Sequence, residues 1–128
     1  MASEVADLAA RIDQIERSYE YLLAYAAQGR QDEHGSEARH HLTSMHRALD
    51  GFADEARRIL SEAAACGSGI PAFLDAVERD AGAARGAIGL VLHRGAIGSL
   101  LVDNLNASVH LRALLTDAFL LDQALTTA

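Results

Sequence analysis

The chain has 128 residues, half of them apolar, with a formal charge of −7, one cysteine and arginine as its only strong base. That length makes one domain around one core. A single cysteine excludes an intrachain disulfide or thiolate zinc cluster. No basic cluster is dense enough to track a phosphate backbone, so nucleic acid is not an expected partner.

Alanine and leucine dominate, and β-branched residues are sparse, so the composition points to an all-α fold. The start, MASEVADLAAR, has neither a basic region nor a long apolar run. No signal peptide is expected, and the chain reads as soluble and cytoplasmic.

Four helical segments follow from apolar spacing. The first spans about 4–28, where Val5, Leu8, Ile12, Ile15, Tyr19, Leu22 and Ala26 alternate steps of three and four. Ser3 is placed to cap it, Gly29 to end it, and Asp7–Arg11 and Asp13–Arg17 to pair on its wet face. Tyr21 and Tyr25 fall off the stripe and read as surface or interface residues.

A polar connector, GRQDEHGSE (residues 29–37), leads to the second segment, about 37–66, with Ser36 as its expected cap. Its stripe is Leu42, Met45, Leu49, Phe52, Ala56, Ile59, Ala63 and Cys66. Cys66 reads as a small buried hydrophobe, because a helix C-terminus does not favour a thiolate.

The third segment, about 71–92, opens on Pro71 and carries Leu74, Val77, Ala81, Ala84, Ile88 and Val91. Gly82 and Gly86 sit four apart beside that stripe. Each costs a helix about 1 kcal/mol, which a close approach by another helix would offset.

The segment RGAIG occurs at residues 85–89 and again at 94–98. Nine residues along an unbroken helix would turn the two copies to opposite faces. The second copy is therefore expected to form a turn, although a β-hairpin over residues 86–102 is an alternative.

The fourth segment, about 98–125, carries Ile97, Leu100, Asn104, Ala107, Leu111, Leu114, Ala118, Leu121 and Leu125. Apolar residues also lie off this stripe, among them Leu105, Val109, Leu115, Phe119 and Leu120. Residues 81–128 hold three acids and three arginines, against 15 and eight in residues 1–80. A helix apolar nearly all round is buried on more than one side.

The expected architecture is an up-down-up-down four-helix bundle spanning the single domain 1–128. A second copy is the simplest cover for its last third, giving a homodimer. Asn104, Leu105, Val109, Leu115 and Phe119 are the candidate interface. There a core Asn104 would set register against its own copy. Alternatively, Asp103, Asn104 and His110 would line an internal pocket.

Two other groups of residues suggest chemistry. Glu37, His40, His41, His46 and Asp50 cluster at the start of the second segment, with an E-x-x-H spacing that suits a transition metal. Ferritin-like di-iron sites need two such motifs and two further glutamates, and only one motif is present. His93, Arg94 and Ser99 flank the turn into the fourth helix, where free N–H groups and the dipole favour an anion.

No P-loop, dinucleotide fingerprint or nucleophile elbow occurs. The chain is thus expected to be a non-enzymatic, self-associating interaction module without a cofactor. A metal or small-ligand binder is the alternative.

Overall fold

The computed structural model describes residues 2–65 and 67–126, so Cys66 lies outside the described residues. Seven helices and no strand occur among them: α1 (Ala2–Ala26), α2 (Ala38–Leu49), α3 (Phe52–Ile59), α4 (Ser61–Ala64), α5 (Ile70–Leu92), α6 (Ser99–Ala107) and α7 (Val109–Thr126). No described helix is long and apolar enough to cross a membrane.

α1 packs against α2 and α3 and against α6 and α7; α5 packs against the same four helices. The core between them includes Ile12, Ile15 and Leu22 of α1, Leu42 and Met45 of α2, and Phe52 of α3. Val77 and Ile88 of α5 and Leu111 and Leu114 of α7 complete its centre, each fully out of water. Each such side chain contributes roughly 1.5–3 kcal/mol through burial.

The third stripe matches the observed buried face of α5 residue for residue. The first copy of RGAIG lies within this helix and the second in the 93–98 connector, so the hairpin alternative fails. Gly82 and Gly86 face open space, with nothing within 4 Å of where a Cβ would sit. The expected close helix approach over them is not made.

The second expected helix is broken. Asp50 is extended (φ −69°, ψ 119°) and Gly51 is left-handed (φ 73°), which ends α2 and starts α3. The stripe still runs through the break in phase, since Leu49, Phe52, Ala56 and Ile59 all remain buried.

Arg11, expected to pair with Asp7 on the wet face, reaches this break instead. Its guanidinium donates to the carbonyls of Ala48, at 3.0 Å, and Asp50, and pairs with Glu55 Oε2 at 2.9 Å. The released helix-end carbonyls and a buried carboxylate thereby share one cation. Asp13–Arg17 forms as expected, whereas Ser3 lies inside α1 rather than capping it.

The fourth expected helix breaks at Ser108 (φ −63°, ψ 143°), and here the phase does shift. After the break Leu111, Leu114, Ala118 and Leu121 are buried as expected; before it the buried residues are Ser99, Val102, Leu105 and Asn106. Leu100, Asn104 and Ala107, expected in the core, face water.

Arg11→Ala should cost about 2–4 kcal/mol, because it strands a buried carboxylate and uncaps two carbonyls. Adding Glu55→Gln should recover part of that loss, since a neutral amide needs no counter-charge. Urea denaturation of both variants measures the difference.

Candidate functional site

The densest polar constellation joins the α1–α2 connector to the α5–α6 connector. Gly29 (φ 65°) and Gly35 (φ 76°) bend the first of these into a compact loop. Ser36 Oγ reaches the Ala38 N–H at 3.3 Å from one residue before the capping position, which Glu37 occupies.

Three residues hold the loop to the start of α6. The fully buried Tyr25 donates its hydroxyl to the Ile97 carbonyl at 2.6 Å. Ser99 Oγ donates to the Tyr25 carbonyl at 2.7 Å and accepts from the Arg30 N–H at 2.9 Å. The Ser99 N–H in turn donates to the Arg30 carbonyl at 2.9 Å.

Glu33 is the anionic centre. Its Oε1 accepts the Ile97 N–H at 2.9 Å, and its Oε2 lies 2.7 Å from Arg39 Nη2. Arg39 also donates to the carbonyls of Leu92, at 3.1 Å, and Arg94, at 2.9 Å, closing the C-terminal end of α5. The Ile97 N–H and then the Arg39 guanidinium hold the Glu33 carboxyl below the usual glutamate range, against the opposing effect of burial.

Gly98 completes the junction. A Cβ there would lie 3.1 Å from the Arg30 carbonyl oxygen and 3.2 Å from that of Gln31. Only glycine lets the two backbones meet without one of them shifting.

The expected anion site therefore changes character. Ser99 is buried with its hydroxyl engaged, while His93 and Arg94 are exposed. The turn's inward N–H already binds a carboxylate, that of Glu33. The adjacent cleft, about 430 Å³, is lined by Asp32, Glu33, His34, Gly95 and Ala96. Its acids disfavour a second anion.

The histidine-rich group divides between two seams. His41 stacks on Tyr21 of α1, with centroids 4.4 Å apart, and its Nδ1 lies 3.3 Å from Ser18 Oγ. Its Nε2 lies 4.0 Å from Glu37, and His40 meets its ring edge-on. His46 instead faces Gly89 of α5.

Burial is the first cause that lowers the pKa of both His41 and His46, with His40 and Arg85 respectively adding to it. Asp50 lies at the far end of α2. No three His, Cys, Asp or Glu residues converge on a possible metal among the described residues. Ser18, His41 and Glu37 share a chain of contacts, but Ser18 is wholly buried and cannot meet a substrate as a nucleophile.

The candidate interface residues also separate. Leu105 and Leu115 pack into the core of their own chain, while Asn104 and Val109 are exposed and Phe119 is 41% exposed. Asp103 and His110 are exposed with Asn104, so the three line no internal pocket. The buried amide is Asn106, whose Nδ2 donates to the Leu22 carbonyl of α1 at 3.2 Å.

Tyr25, Glu33, Arg39 and Asn106 are the residues that periodicity overlooked. Glu33 and Arg39 sit in or beside a polar loop, where spacing carries no phase. Ser108, a residue type that favours helix starts, was the available sign that Asn106 and Asn104 exchange places. Comparison with family models, curated proteins and solved structures finds no match to this chain.

Glu33→Gln should cost about 1.5–3 kcal/mol at neutral pH, the range for hydrogen bonds to charged groups. Because the folded-state pKa is depressed, this stabilisation is present above the ordinary glutamate pKa. It is lost as pH falls through the folded value. Urea denaturation at pH 7 and pH 3 should show a smaller variant deficit at pH 3 than at pH 7. Gly98→Ala should destabilise by about 1–3 kcal/mol through overpacking, read as a lowered Tm.

Proposed function

We propose that the chain is a non-enzymatic helical module that pairs with a second copy of itself through the outer surface of α6 and α7. The observation that carries this reading is the set of large apolar side chains left in water there: Leu100 at 73%, Val109 at 69%, Leu120 at 54% and Phe119 at 41% exposure. Leu90, near the end of α5, is likewise in water, at 72%.

The charge distribution supports a like partner. The chain carries −7, yet residues 81–128 balance three acids with three arginines. Two copies would meet with least repulsion over that neutral third. Leu105 and Leu115 leave the interface set, and Leu100 and Leu120 join Asn104, Val109 and Phe119.

The seven helices form, in this reading, four antiparallel rods in up-down-up-down order: α1, α2–α4, α5 and α6–α7. The support is that α1 and α5 each contact both broken rods. A cytoplasmic setting suits a chain whose one cysteine permits no internal disulfide. The histidine-rich start of α2 adds no metal function to this reading, since its donors diverge.

Sedimentation velocity from 1 to 100 μM tests the proposal. A monomer–dimer equilibrium is expected, weakened at least about tenfold by Leu120→Asp, as for a buried apolar contact. A wild-type chain that stays monomeric throughout would reject it.

A further inference from the structure

The apolar stripe of α7 is flanked by two acids, Asp117 and Asp122, and each meets acid on a neighbouring helix. Across the seam where α7 packs on α5, Asp117 is set against Asp80. Both residues are half-buried, and Asp117 Oδ2 is fully buried with no donor among the described residues reaching it. On the α1 side, Asp122 acts on Glu16, whose pKa is raised first by burial and then by that charge.

No cation of the packed helices answers the Asp80–Asp117 pair among the described residues. On α1, Arg11 is turned to Glu55 and Arg17 to Asp13. On α5, Arg85 donates to the His46 carbonyl and Arg79 is exposed. The only ionisable residue of α6, Asp103, faces water, as do Arg112 and His110 on α7 itself.

We propose that Asp80 and Asp117 form a proton-operated latch, which holds α7 against α5 while the two carboxyls share a proton and loosens α7 once both are ionised. A shared proton lets one carboxyl donate to the other across the seam. Without it, two negative charges face each other where solvent screens them poorly. Burial, followed by the Asp80 contact, pushes the Asp117 carboxyl up to about 7.

The sign of the effect follows. The folded pair keeps a proton that the unfolded chain has already released, so this contribution to docking is complete at acidic pH. It is lost as pH rises through the folded-state value. Ser108 supplies the joint: one extended residue separates α6 from α7, so α7 moves away without unwinding α6.

Hydrogen–deuterium exchange of the full chain at pH 5.5 and 8.0, corrected for intrinsic exchange rates, tests the latch. Opening of α7 relative to α1 should rise about tenfold or more at the higher pH, the change that one pKa unit carries. Asp117→Asn and Asp80→Asn should each hold α7 closed at both values. Equal wild-type protection at the two pH values, or the same pH dependence in both variants, would overturn the proposal. The amide variants remove a charge without adding volume. Their far-UV circular dichroism should match wild type at pH 5.5, and a loss of helix there would also count against the latch.

Discussion

The Glu33 carboxylate bridges two stretches of chain about sixty residues apart. One oxygen takes the backbone N–H of Ile97, and the other takes the guanidinium of Arg39. Arg39 in turn closes the last carbonyls of α5. Without this carboxylate, a backbone donor in the α5–α6 connector and a half-buried guanidinium would lose a shared partner at once. The fold thus depends on an anion supplied by its own loop, which sets where α6 begins and how closely it lies against α1.

This arrangement explains why the turn is not a vacant anion receptor. A helix start with free N–H groups is a general attractor of negative charge. Here the attraction is used internally. Tyr25 and Ser99 reinforce the same junction, and the remaining cleft beside it is acidic. The outer surface of α6 and α7 has the opposite character, with large apolar side chains and few charges. Self-association, as proposed, draws on that apolar surface, and ligand capture at the turn would have to compete with Glu33.

The apolar stripes of α1, α2 and α5 were legible because a buried face repeats at helical period and no connector interferes. The two helix breaks were not equally legible. At Gly51 the chain resumes in phase, so Leu49 and Phe52 stay buried and the stripe carries no trace of the interruption. At Ser108 the chain resumes out of phase, which sends Leu100 and Asn104 to solvent and Asn106 inward. Periodicity identifies a face only within one unbroken helix. The polar contacts of Glu33, Arg39 and Arg11 were illegible for a different reason: apart from the Glu33–Arg39 pair, which starts in a loop, they join residues distant in sequence, and residue spacing along a helix contains no information about them.

Gly82 and Gly86 interrupt an otherwise well-patterned α5 without any neighbour that needs the space. Each gives the unfolded chain extra backbone freedom and returns no packing. Roughly 2 kcal/mol of helix propensity is left unused over these two positions. Stability thus has an easy route upward that the sequence does not take, and the exposed face of α5 stays unusually thin, with backbone rather than side chains presented to whatever approaches it.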